Sequence, residues 1–197
     1  MRDAMHPVRL ETDRLVLREL RLEDWRDAQL ADADPEVARF QAYGVLDEAG
    51  TRRYLERAVE AAHQTPRRTY DLAVCLAEDE RFLGRVGLAI ERPAHLEATV
   101  WINLRRDRWR SGLATEAGQA LGDFAFDTLG LHRMYGDTDP RNTGSIAVLE
   151  KLGFRREAHF RENWLINGEW CDSYIYAVLA PEWRAQRKRD ANVTTVG

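Results

Sequence analysis

One stretch constrains this chain more than any other: Trp101 to Ala117, WINLRRDRWRSGLATEA. A strand-like run, Ala98 to Leu104, meets an arginine-rich loop, and Gly112 then opens a long amphipathic helix. That order builds an anion site. The first backbone N–H groups of a helix have no partner inside it, and the helix dipole favours negative charge there. Glycine lets the main chain come close to a phosphate, and Arg105, Arg106, Arg108 and Arg110 add positive field. The guest this implies is a phosphate-bearing cofactor; the alternative is an ordinary strand–loop–helix connection with a solvated basic loop. A Walker loop is excluded because its glycine–lysine signature does not occur, and a dinucleotide fingerprint is excluded because only Gly112 stands where three glycines are needed.

A second segment, Asp137 to Phe154 (DTDPRNTGSIAVLEKLGF), narrows the reading. Asp139-Pro140 reads as a turn, because the residue before proline avoids helix. Asn142 is a good helix cap. Ile146, Leu149 and Leu152 form an apolar stripe at helical spacing, Gly153 ends the helix, and Phe154 starts the next strand. Asn142, Ser145 and Leu149 share one face. Either the polar pair reaches into a cleft, or Asn142 only caps and Ser145 only occupies the first turn.

Together the two segments resemble the GNAT superfamily of acyl-coenzyme A transferases. The family's phosphate loop, Arg/Gln-x-x-Gly-x-Gly/Ala, is matched by Trp109-Arg110-Ser111-Gly112-Leu113-Ala114. Tryptophan at the first place, followed by Ala-Thr-Glu-Ala, is similar to the branch of ribosomal-protein N-terminal acetyltransferases. That branch also carries N-x-x-S-x-x-x-L-x-K-x-G-F, matched from Asn142 to Phe154, and an opening similar to Thr12 to Arg18. Its closing pattern is matched by Asn167-Gly168, Asp172 and Tyr176. The branch has glycine where this chain has Arg110. The resemblance covers residues 11 to 183. It implies a GNAT-like α/β (α+β) fold: a mixed, mostly antiparallel central sheet, splayed between its fourth and fifth strands and flanked by helices.

The resemblance further implies acetyl-coenzyme A as co-substrate. Its phosphates would meet Trp109, Arg110, Ser111, Gly112, Leu113, Ala114 and Thr115. Its pantetheine arm would enter the splay, pair with backbone around Ile102, Asn103 and Leu104, and pass Asn142 and Ser145. The reaction is direct attack of an amine on the thioester. Glu97, which begins the strand leading to the loop, is the candidate base. An α-amine has a reference pKa near 8, against roughly 10.4 for lysine, so a carboxylate working through water suffices for it. Ser145 is the candidate proton donor to the leaving sulfur, and Asn142 positions the arm or the substrate. A backbone N–H near Asn103 is the expected oxyanion donor. Asp172, Tyr174 and Tyr176 are weaker candidates, for a cationic substrate or a substitute acid, and Lys151 for the phosphates.

The favoured acceptor is a protein or peptide N-terminus, by branch resemblance. A polyamine or aminoglycoside acceptor, a succinyl donor, or a non-catalytic acyl-coenzyme A-binding module are the alternatives. A homodimer is open.

Composition agrees with one soluble domain. The chain has 197 residues, 44% hydrophobic and 31% charged, with a net charge of −4. That balance argues against a nucleic-acid surface. Cys75 and Cys171 read as buried free thiols, and the five histidines show no ligand spacing, so no metal is expected. No run approaches the roughly 18 apolar residues of a membrane helix, and no signal segment is legible, so the expected location is the cytoplasm. The expected organisation is a loose tail at 1–10, a single domain at 11–183, and a helix end and frayed tail at 184–197. Helices are expected at Asp24 to Asp32, Gly50 to His63, Gly112 to about Thr128, and Pro181 to Arg189. Strands are expected at Arg14 to Leu20, Tyr70 to Ala77, Phe82 to Ile90, Glu97 to Asn103, His132 to Thr138, Phe154 to Trp164 and Trp170 to Leu179.

Overall fold

The computed structural model describes residues 7–194, with side chains described to residue 189. Eight strands form one sheet: β1 (Arg9–Glu11), β2 (Leu15–Glu19), β3 (Thr69–Leu76), β4 (Phe82–Arg92), β5 (Glu97–Leu104), β6 (Arg133–Thr138), β7 (Arg155–Ile166) and β8 (Glu169–Leu179). Their order is β1-β2-β3-β4-β5-β6-β8-β7. Every neighbouring pair is antiparallel except β5 and β6, which run parallel. The helices are α1 (Trp25–Asp32), α2 (Pro35–Ala38), α3 (Glu48–Ala62), α4 (Leu113–Asp123), α5 (Thr143–Lys151) and α6 (Ala180–Thr194).

Alternation along the strands sets the layers, because successive side chains leave a strand on opposite faces. Even positions such as Leu72, Val74, Val86 and Leu88 build the main core with Leu113, Ala117 and Leu121 of α4 and Trp183 of α6. Odd positions Ala73 and Cys75 pack with Leu20, Ala28, Leu55 and Phe82 under α1 and α3. The same odd face carries Asp71, Arg85, Trp101 and Asn103.

The parallel pairing of β5 with β6 runs from Glu97↔Arg133 to Thr99↔Tyr135. Beyond it, Val100 to Leu104 stay paired with β4 on one edge only. The sheet is therefore splayed where expected. The added edge strand β1 makes these the fifth and sixth strands.

Local expectations and structure differ at a few places. Arg9–Glu11 is a strand paired with β2 rather than part of a loose tail, while residues 1–6 and 195–197 lie outside the described residues. Asp34 and Pro35 start a short helix that no apolar periodicity announces; the Asp34 carboxylate accepts from Glu36 N–H at 2.9 Å. The helix expected to Thr128 becomes a wide turn after Asp123, with Leu129 N–H bonded to Phe124 O at 3.0 Å. That turn lets Phe124, Ala125 and Phe126 all be buried. α6 continues directly from β8 and runs beyond Arg189.

Candidate functional site

Two halves meet at the splay. The first is the start of α4. Leu104 ends β5, Trp109 donates its indole N–H to Leu104 O at 2.9 Å, and Gly112 caps α4 with φ +79°. Arg110 also takes a positive φ, +58°. It thus keeps the left-handed backbone that glycine adopts freely, at a cost of roughly 1–2 kcal/mol. With the loop so shaped, the N–H groups of Leu113, Ala114 and Thr115 lack intrahelical acceptors and point out of the helix start. Ser111 Oγ donates to Arg108 O at 2.5 Å, which tightens the turn. Arg14 braces it from β2's side, donating to Ser111 O at 3.1 Å and to Glu116 at 2.7 Å. Burial raises the Glu116 carboxyl, but the Thr12 hydroxyl and the Arg14 backbone and guanidinium outweigh it, so its pKa lies below the ordinary value.

The second element is α5. The Asn142 carboxamide oxygen accepts from Ser145 N–H at 3.1 Å, so Asn142 caps the helix that follows β6. Ser145 is half-buried in the first turn. Thr138, at the end of β6, has a buried hydroxyl oxygen with no partner among the described residues.

On the odd face of the sheet, beside the free part of β5, lies a cavity of about 190 Å³. Ile102 and Asn103 of β5 form one wall, and Gln41, Tyr43, Tyr54, Arg85 and Trp101 the rest. Asn103 donates its amide to the Tyr43 hydroxyl at 3.0 Å. Arg85 is buried against Asp32, whose other contact is the Thr51 hydroxyl at 2.9 Å. Tyr54 donates to Asp71 at 2.5 Å. The cross-strand register explains the rest: Asp71, Gly87 and Trp101 lie side by side on β3, β4 and β5. A Cβ on Gly87 would fall 2.4 Å from the Trp101 ring, so only glycine lets that ring lie across β4 and bring its N–H to 3.4 Å from Asp71.

Several expected residues are placed differently. Glu97 is buried at the closed end of the splay, ion-paired with Arg92 and, at 2.9 Å, with Arg133. It stands seven residues before Leu104, roughly 23 Å along the strand. This corrects the expectation of a carboxylate free to face the cleft. Asp172 is held by His159 at 2.7 Å and Glu162 N–H at 2.9 Å, away from the cavity's lining. Tyr176 donates to Glu150 at 3.0 Å, Tyr174 packs edge-on to His159, and Lys151 is exposed in the last turn of α5. Cys75 and Cys171 are buried free thiols. No group of three or more metal-ligating side chains occurs among the described residues, and no described helix is long and apolar enough to cross a membrane. Tyr43, Tyr54, Asp71 and Arg85 are the residues sequence reading passes over. The available signal is a charge in the middle of each of two otherwise apolar strands, TYDLAVCL and FLGRVGLAI, where an unpaired charge is very costly.

A model of the GNAT acetyltransferase domain matches residues 14–155. The uncharacterized N-acetyltransferase YnaD of Bacillus subtilis is 27% identical over 88% of this chain and 98% of its own length. Spermidine N(1)-acetyltransferase of Escherichia coli is 28% identical over 53% of this chain and 56% of its own. The E. coli enzyme that acetylates alanine of ribosomal protein uS5 is 32% identical over 41% of this chain and 42% of its own. Among solved structures, a GNAT-family acetyltransferase from Bacillus anthracis superposes with a TM-score of 0.80 at 26% identity, over 89% of this chain and 100% of the other.

Proposed function

Since the chain belongs to the GNAT family of N-acetyltransferases, whose acyl donor is acetyl-coenzyme A, we propose that its acceptor is the N-terminal amine of a protein or peptide. The chain's residues fit that donor. The helix start at Gly112 offers a cradle for phosphates, with Arg105, Arg106, Arg108 and Arg110 around it. The free edge of β5 from Val100 to Leu104 offers backbone groups to an amide-bearing arm, and the buried Thr138 hydroxyl has no hydrogen-bond partner among the described residues. Bound acetyl-coenzyme A supplies an activated acyl group and a thiolate leaving group. In this reading Ser145 protonates the departing sulfur, Asn142 holds α5 in position, and a backbone N–H near Asn103 stabilises the oxyanion.

The observation that carries the acceptor assignment is the polarity of the cavity beside β5. Its wall combines the Arg85 guanidinium with the Tyr43 and Tyr54 hydroxyls and the Asn103 amide. The Tyr43 hydroxyl accepts from Asn103, so its own O–H and the second Asn103 amide hydrogen suit the carbonyl groups that follow a peptide's first residue. The α-amine also has the lower pKa, near 8 against roughly 10.4 for a lysine side chain, so more of it is neutral at pH 7.

Coenzyme A release with a panel of amines tests this. Turnover with free N-terminal peptides, and kcat/KM at least about tenfold lower with spermidine and with Nα-blocked lysine peptides, is the expected result; tenfold corresponds to about 1.4 kcal/mol. Turnover confined to spermidine or to lysine side chains overturns the acceptor assignment.

A further inference from the structure

Resting on the acetyl-transfer reading, we propose that Tyr54 takes the proton from the acceptor amine and passes its own to Asp71, so that this pair serves as the base. Tyr54 lines the cavity next to the free part of β5, and its O–H already donates to Asp71 at 2.5 Å. A phenol oxygen that donates one way still accepts the other way. The amine's proton therefore has a two-step route into a buried carboxylate, with no rearrangement of protein groups.

The electrostatics suit the role. Facing Asp71 are Tyr54 from α3, Trp101 from β5, Arg85 from β4, Asp32 from α1 and, from the segment before α3, Tyr43. Arg85 is spent on Asp32, so the cluster holds two carboxylates against one guanidinium. Burial pushes the Asp71 carboxyl above the ordinary range; Arg85, the Tyr54 hydroxyl and the Trp101 N–H offset only part of that. A raised carboxylate is a better base than an exposed one. Glu97, by contrast, has Arg92 and Arg133 on its oxygens.

The step balances. An ammonium acceptor gives one proton through Tyr54 to Asp71, the N–C bond forms as the C–S bond breaks, and a second nitrogen proton ends on the sulfur. Asp71 then returns its proton to solvent.

The test compares the parent with Tyr54→Phe, Asp71→Asn and the double variant. Each single variant should lose roughly 10²–10⁴-fold in kcat, the usual range for a general base, with affinity for acetyl-coenzyme A unchanged. The double variant should be no worse than either single one. In Tyr54→Phe the acid limb set by the Tyr54–Asp71 pair should be replaced by a rise that follows the amine's own deprotonation, near its reference pKa of about 8. Without any ligand, the carboxyl ¹³C resonance that disappears in Asp71→Asn should titrate above the usual Asp value near 3.9, and move higher still in Tyr54→Phe. Should Asp71→Asn fail to fold, Tyr54→Phe carries the test alone. Parental kcat and pH profile in Tyr54→Phe, or additive losses in the double variant, overturn the proposal and leave the transferase reading intact. A parent silent on every amine overturns both.

Discussion

Ser145 sits in the first turn of α5, its N–H capped by Asn142, where the splay of β5 and β6 opens. A thiolate with a reference pKa of about 8.5 leaves tolerably without help. The Ser145 hydroxyl should therefore speed the reaction without being essential to it. Ser145→Ala is expected to lower kcat by about ten- to a hundredfold, the low end of general-acid effects, with acetyl-coenzyme A affinity changed less than about twofold. Stopped-flow turnover and calorimetric titration check this, and a parental kcat would remove Ser145 from the chemistry. Arg110 illustrates a second residue-scale point. It occupies a left-handed position, φ +58°, so the loop keeps its shape where the resemblance led one to expect glycine, and the arginine adds a cation beside the phosphate cradle.

Among the elements, α4 matters most, because its start is the cradle. Glu116 fastens it to the turn between β1 and β2 through Thr12 at 2.6 Å and Arg14 at 2.7 Å. Its carboxyl pKa is lowered from the ordinary value of 4.5. A depressed folded pKa means that the ionised form is the stabilising one. The contribution is present above about pH 4.5 and is lost as the pH falls through the lower, folded value. Glu116→Gln should accordingly lower Tm at pH 7, and the gap from the parent should close as the pH falls below the ordinary value of 4.5. A gap that is constant with pH would contradict the assignment.

This helix and its loop were legible because their signals are local. Gly112 marks the start and Leu113, Ala117 and Leu121 mark the buried face, while Asn167-Gly168 marks the hairpin with two positive φ angles. Asp71, Tyr54 and Arg85 were not legible as a site. Their contacts span 17 residues for Tyr54–Asp71 and 53 for Arg85–Asp32. Only the sheet register brings them together. Glu97 misled for the same reason. Its place on β5 was right, but Arg133 reaches it from 36 residues away, and no local pattern announces that partner.

At the scale of the molecule, α6 closes the main core on the face of the sheet opposite the cavity. Trp183 is buried over Gly122 of α4, with its indole N–H bonded to Asp123 at 2.8 Å. A Cβ at Gly122 would lie 2.2 Å from the Trp183 ring. Gly122→Ala should cost about 1–3 kcal/mol by overpacking, visible as a drop of several degrees in Tm. The folded fraction should keep its acetyl-coenzyme A affinity. An unchanged Tm would contradict the packing described here.

The central claim is that the free edge of β5 and the start of α4 together hold acetyl-coenzyme A. Hydrogen exchange with and without acetyl-coenzyme A tests it most directly. Protection should appear in Val100 to Leu104, in Trp109 to Thr115 and around Asn142 to Ser145, leaving β1 to β3 unchanged. Saturating ligand that protects none of these segments, or protects β1 to β3 instead, would contradict the account.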